Sequence, residues 1–280
     1  MSLIIPEIFA GLTREAFDSN MRVGSLATNL GVLSGNVGDT VKFPYWKLIN
    51  YPTTVTKGTP LQPQTLEQDE KTATIVQKGS AVQVFDYDDM TAMGNHINEA
   101  ATQLGMMFAR QLDIDLVSEA KETPLIQETA GATSITNTNL NAGFQLFGDS
   151  QNVEDMAGIV IHSMLVPSFY AMNEFVDGSL THTKEGSGIV RNGLLGYYRS
   201  VPVYVADHGT WSDTENEALA FIIKKNSLAY MEKHKIRIET ERDALSLATN
   251  VVGSYTYATK LINSSGVVLL RNTLPTPEEE

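Results

Sequence analysis

Residues 38–85 constrain this chain more than any other stretch, because they read as a long β-arm with almost nothing of its own to bury. The stretch opens with GDTVKFPYWKLI, and KTATIVQKGSAVQVFDY closes it. Period-two alternation puts Val41, Phe43 and Tyr45 on one face of the first half. Ile75, Val76, Val82 and Val84 populate the second half, where Gly79 fits a bulge. Between the halves lie Pro52, Gly58, Pro60, Pro63 and five threonines. An arm that cannot build a core must pack on another surface, and the readiest one is a second copy of the same chain.

Composition narrows the class. A hydrophobic fraction of 42% supplies a real core, so the chain is not a disordered one. The 280 residues suit one elaborate domain or two ordinary ones. A formal charge of −13 argues against a dedicated nucleic-acid binder, which needs a basic face, but suits an acidic container that encloses nucleic acid. The chain has no cysteine, which excludes disulfides and thiolate metal sites. MSLIIPEIFAG lacks the basic and apolar regions of a signal peptide. No apolar run approaches the ~20 residues that span a bilayer. The expectation is a soluble protein made in a cytoplasm, with no membrane partner.

Along the chain, residues 1–37 read as an arm with a short helix within Glu7–Asn20. From about Asp88 to Glu122 the period changes. Ile97, Ala101, Leu104, Phe108, Leu112 and Leu116 step by three or four and make one helical stripe. Asp86, Asp88 and Asp89 suit the N-terminal dipole and Pro124 supplies the stop, giving a helix of roughly 30 residues and ~45 Å. Such a length marks a scaffold element. Residues 124–234 read as a mixed αβ unit. It contains a helix near Asn139–Phe147, a buried strand in AGIVIHS and a helix starting at Pro167. Beyond these lie a polar loop at 180–188, a strand pair in LLGYYRSVPVYVAD and a buried strand in ALAFII. From Lys235 the pattern returns to β, with Ile236 and Ile238 on one face and Tyr255, Tyr257 and Leu261 on another. TLPTPEEE is an acidic tail.

The residues offer little chemistry. His96, His162, His182, His208 and His234 have no metal-ligand spacing, and GxSxG, GxGxxG and GxxxxGK are all absent. Asp113 and Asp115 diverge on the helix, and the group of Asp86, Asp88 and Asp89 lacks the glycine and distal Glu of a calcium loop. Phe43, Tyr45, Trp46 and Tyr51 fit a packing platform better than a base-stacking or sugar-binding site, since only Lys42, Lys47 and Lys57 lie near. These residues indicate neither an enzyme nor a cofactor or metal site.

The order of elements resembles the major capsid proteins of tailed bacteriophages, with the Johnson or Hong Kong 97-type fold. GDTVKFPYW (38–46) is similar to the strand that opens their extended loop. GIVIHSMLVPSFYAMNEF (158–175) is similar to their axial-domain strand and helix, LLGYYRSVPVYVAD (194–207) to their return strands, and KIRIETERDAL (235–245) to the segment re-entering the peripheral domain. The resemblance implies an α+β fold with an N-arm (1–37), an extended β-hairpin loop (38–87) and a peripheral domain with a spine helix (88–123 and 235–272). An axial domain (124–234) and an acidic tail (273–280) complete it. It implies self-assembly as pentamers and hexamers of an icosahedral shell around double-stranded DNA, in a virion assembled in a bacterial cytoplasm. A portal protein and a separate scaffolding protein would be partners, and no large maturation cleavage is expected because the arm begins by residue 38. The expected assembly surface comprises Phe43, Tyr45, Trp46, Tyr51 and Lys57 on the loop and Arg14 and Arg22 on the N-arm. No motif pairs Lys57 with Asn263 for covalent crosslinking. An encapsulin-like compartment shell shares the implied fold, while a hydrolase or carbohydrate-binding protein is the rival of another class.

Overall fold

In the computed structural model, which describes residues 6–33, 39–91 (apart from 48, 53, 56, 59, 60 and 62), 96–176 and 193–274, the chain opens with helix α1 (Pro6–Asn20). Strand β1 (Thr28–Val32) follows, and then a hairpin of β2 (Thr40–Trp46) and β3 (Gln68–Thr74). Strand β4 (Val76–Phe85) and the short helix α2 (Asp86–Thr91) lead to α3 (His96–Ala120). The middle of the chain holds β5 (Ile126–Glu128), α4 (Asn137–Gln145), β6 (Met156–Ile161), α5 (Val166–Tyr170), α6 (Asn173–Val176), β7 (Leu194–Tyr198) and β8 (Val201–Val205). It closes with β9 (Trp211–Ser212), β10 (Glu217–Ala218), β11 (Ala220–Lys224), β12 (Leu228–Asp243), β13 (Ala248–Leu261) and β14 (Val267–Arg271).

Two larger sheets organise these elements. One has the order β1-β12-β13-β4, the other β5-β14-β11-β6-β8-β7. The apolar runs GIVI, AFII and VVLL lie side by side in the six-stranded sheet, and alternation sends their side chains to two different cores. Val160, Phe221, Ile223 and Leu269 join α3, whereas Ile159, Ile161, Ile222 and Leu270 join Leu140 and Phe144 of α4 and Phe169 and Phe175 beyond. That double burial is why these runs show no polar alternation. The tight β7–β8 turn puts Arg199 and Ser200 at φ 48° and 65°, a two-residue hairpin turn of the primed kind.

Helix α3 packs on both sheets. Ala101, Leu104, Phe108, Leu112 and Leu116 are buried, with Ile97 half-buried at the start of the stripe. Phe108 meets Tyr255 of β13 at 6.3 Å between ring centroids, and Tyr255 in turn meets Phe17 of α1 edge-on at 5.5 Å. Helix α1 can lie this close because position 105 is glycine: a Cβ there would sit 2.4 Å from the carbonyl oxygen of Thr13. Substituting Gly105→Ala is therefore expected to force the helices apart and cost ~1–3 kcal/mol, read as a drop in the denaturation midpoint.

Several sequence expectations change. The β-arm is not one long hairpin. Only β3 pairs with β2, and at Ile75 the chain leaves the arm, with β4 joining β13 in uninterrupted register from Phe85↔Ala248 to Val76↔Tyr257. Gly79 is thus not a bulge; the register shifts lie on β12 between Glu232 and Arg237. The described spine, α3, runs from His96 for 25 residues and ~37 Å, and residues 92–95 between it and α2 lie outside the described residues. The acidic residues belong instead to α2, where both guanidinium nitrogens of Arg242 pair with Asp86. Strand β12 starts at Leu228, and β14 pairs with β11 and β5 in the six-stranded sheet. The boundaries expected at 234 and 272 therefore do not coincide with the sheets. The polar loop at 180–188, His182 and most of the acidic tail lie outside the described residues.

Candidate assembly surface

The arm has a base with a core and a tip that, among the described residues, has none. At the base, Val41, Phe43 and Ala73 are buried against Ala229 of β12 and Ala258 of β13. The two alanines leave the hollow that the Phe43 ring fills. Lys71 reaches from β3 to the Leu261 carbonyl at 3.1 Å. Where the hairpin leaves the body, the Tyr45 hydroxyl donates to Asp69 at 3.1 Å and Lys47 approaches the same carboxylate at 3.2 Å. The Glu70 amide, then Lys47 and Tyr45, hold the Asp69 carboxyl below its ordinary value. Lys42 pairs with Glu70 across the strands.

Beyond Lys47, whose amide closes the ladder on the Glu67 carbonyl, the Asn50 N–H donates to Gln64 Oε1 at 2.9 Å. Yet the tip carries Trp46, Ile49, Tyr51, Val55, Leu61 and Leu66, all exposed, Tyr51 to 92%. A single exposed leucine is unremarkable, but six large apolar side chains on one projecting hairpin mark an interaction surface.

The expected surface residues divide accordingly. Trp46, Tyr51 and Lys57 are exposed on the tip and Tyr45 is half-buried at its root. Phe43 is corrected: it is fully buried within its own chain. Arg14 and Arg22 hold the N-terminal segment to the body. Arg14 pairs with Asp18 at 3.2 Å and with the buried Glu232 at 3.3 Å, and Glu232 also accepts the Tyr255 hydroxyl at 2.9 Å. Arg22 donates a guanidinium hydrogen to the Val205 carbonyl at 2.9 Å. Asn263 caps the turn before β14 by accepting from Ser265 N–H at 3.1 Å.

Sequence reasoning passed over Asp113, which anchors the elbow after α1. Its carboxylate accepts the amides of Arg22 at 2.9 Å and Gly24 at 2.7 Å. Burial nevertheless pushes Asp113 up to about 6, outweighing those amides. The folded chain thus binds this proton more tightly than the unfolded chain does. Stability carried by Asp113 rises as pH falls from about 6 toward 4, by up to ~3 kcal/mol, and is lost again as pH climbs through 6. Denaturant titrations at pH 7 and pH 4.5 should show the wild type gaining on Asp113→Asn across that interval; parallel profiles would remove the carboxylate from this role.

A second exposed apolar group lies at the end of the four-stranded sheet, where Phe85, Tyr87 and Met90 adjoin Leu245 and Leu247 of the β12–β13 turn. Among the described residues, no group of three or more His, Asp or Glu side chains converges as a metal site. His162 and Ser163 follow the end of β6, and the His162 ring accepts the Met164 amide while Asp207 accepts that of Ser163.

Comparison with known proteins gives a consistent result. No family model matches the chain. It is 23% identical over 268 residues to the major capsid protein of Staphylococcus phage phiMR11, covering 95% of this chain and 92% of that protein. Among solved structures it is similar to the capsid of the cyanophage P-SCSP1u, with a TM-score of 0.65 and 15% identity over 90% of this chain and 88% of that one. The capsid of Ralstonia phage GP4 matches with a TM-score of 0.64 and 12% identity, covering 94% of this chain and 92% of that one. The capsid of a native GTA particle matches with 0.62 and 13% identity, over 90% and 91%. The chain, from its N-terminal helix and projecting arm to its spine helix and two sheets, has the α+β fold of the tailed-phage major capsid proteins.

Proposed function

We propose that the chain is the major capsid protein of a tailed phage, a structural subunit whose copies form the pentamers and hexamers of an icosahedral shell around double-stranded DNA. The observation that carries this reading is the arm, whose base is built into the subunit while its tip, among the described residues, holds six exposed apolar side chains and no core. A tip of that kind is completed by a neighbour, and repeated head-to-tail contacts between identical chains close into rings and shells. The similarity in sequence and fold to phage capsids supports the same role.

In this reading the arm is the extended loop. Helix α3 with the four-stranded sheet is the peripheral domain, and the six-stranded sheet with α4–α6 the axial domain. The subunit has no catalytic role and takes no cofactor. Its partners are its own copies, a separate scaffolding protein, a portal and packaged DNA held without sequence readout, with assembly in the host cytoplasm. No helix among the described residues is long and apolar enough to cross a membrane. No observation favours the compartment-shell or hydrolase readings. Negative-stain electron microscopy of the purified chain, alone and with a scaffolding protein, is expected to show rings or closed shells. A chain that stays monomeric under every condition overturns the proposal.

A further inference from the structure

A cleft of about 250 Å³ lies between the elbow after α1, the middle of α3 and the segment following β8, lined by Arg22, Arg110, Asp113 and His208 among others. Its charge is arranged unusually for a chain of net charge −13. Asp113 is already satisfied by two backbone amides, and the Arg22 guanidinium is bound to Val205. Arg110 is exposed at the mouth and, like His208, has no hydrogen bond or ion pair among the described residues. Burial and then the Arg110 guanidinium hold His208 below its ordinary value, which marks the two as neighbours. The cleft therefore presents an unmatched guanidinium fork beside an imidazole, a geometry suited to carboxylate or phosphate oxygens.

Two observations favour carboxylates from this chain's own Glu278–Glu280. The first is local: one free guanidinium, flanked by Asp113 and Asp207, is far from the basic stripe that a nucleic-acid backbone requires. The second is reach. The chain leaves β14 with Asn272 and Thr273 amides fixed on Glu217, and Arg271 is close enough to Lys121, just past the end of α3, to help burial lower its pKa. Arg110 lies eleven residues back along that helix, ~16 Å away along the axis. Seven residues from Thr273 to Glu280 extend up to ~25 Å. Of the nearer cations, Arg271 is matched already by Glu217 at 2.7 Å.

We propose that the Arg110–His208 cleft is a docking site for the acidic segment Glu278–Glu280 of the same chain. This goes beyond the capsid reading and does not depend on it. The absence of cysteine makes a clean test. Asn20→Cys, on the cleft rim, and Pro277→Cys are introduced together into the full chain and oxidised with diamide, with Ser80→Cys and Pro277→Cys as the distant control. A disulfide within one chain is expected for the first pair and not for the control, and a disulfide formed only between chains overturns the proposal. Adding Arg110→Glu should reduce its yield about tenfold, and further conversion of Glu278, Glu279 and Glu280 to Lys should restore it. Arg110 is exposed, so thermal melts should confirm that these variants stay folded. A yield indifferent to Arg110→Glu, or no disulfide at all, overturns the proposal. So does the finding that Arg110→Glu abolishes binding of a short DNA duplex while no disulfide forms, which would make the cleft a phosphate site.

Discussion

Phe108→Asp is expected to leave a subunit that does not fold. The ring lies in the middle of α3, buried against Tyr255 and next to Gly253, where an added Cβ would come within 2.8 Å of it. Removing a buried phenylalanine ring alone costs ~3–5 kcal/mol, and a carboxylate without a partner adds the cost of desolvating a charge. The sum approaches the ~5–15 kcal/mol that holds a typical domain together. Leu104→Asp, one turn earlier on the same stripe, should behave alike. Met107→Asp is the internal control, because Met107 points outward from the same helix and surface changes usually stay within ~0.5 kcal/mol. Circular dichroism melts would show a cooperative transition for Met107→Asp and none for Phe108→Asp. Equal midpoints for the two would mean that α3 is not the element on which the sheets are built.

How far such features are legible in a sequence depends on how local their cause is. The α3 stripe is legible because its period of three to four needs no knowledge of what it faces. The partner of Asp86 is not legible, because it is Arg242, 156 residues away. The arm misleads for a related reason. Strand character continues unbroken through Ile75, so nothing local announces that β3 returns along β2 while β4 pairs with a strand more than 160 residues further on. Phe43 looked like surface because its hollow is made by Ala229 and Ala258, small residues that carry no signal of their own. The partners of Arg14 and Arg22, Glu232 and Val205, are invisible from the N-terminal segment, and those of Asp113 are backbone amides that no side-chain pattern announces. What projects from the fold is easier to read than what fastens it. Among the described residues, the threonine- and proline-rich tip is the part of the arm that stays exposed.

That contrast between base and tip sets up the second large effect. Deleting residues 50–66 should leave a folded subunit that no longer assembles. The cut falls just beyond the last ladder hydrogen bond, Lys47 N–H to Glu67, so a short turn can rejoin the strands, and Val41, Phe43 and Ala73 keep their places against β12 and β13. Melting should change little, since the described residues of the deleted segment contribute exposed side chains and the Asn50 to Gln64 hydrogen bond. Assembly is different. Tyr51, Val55, Leu61 and Leu66 would each contribute ~1.5–3 kcal/mol if fully covered by a neighbour, and every 1.4 kcal/mol lost weakens a contact tenfold. Because each subunit repeats the contact, the loss multiplies around a ring and throughout a shell. Sedimentation velocity should then find the deletion variant as monomer at concentrations where the full chain forms rings or shells. Tyr51→Asp with Leu61→Asp should reproduce the defect without altering chain length. If the deletion instead lowers the melting temperature of the monomer, the tip is part of the subunit's own core, and an arm built to be completed by a neighbour is the wrong reading of this fold.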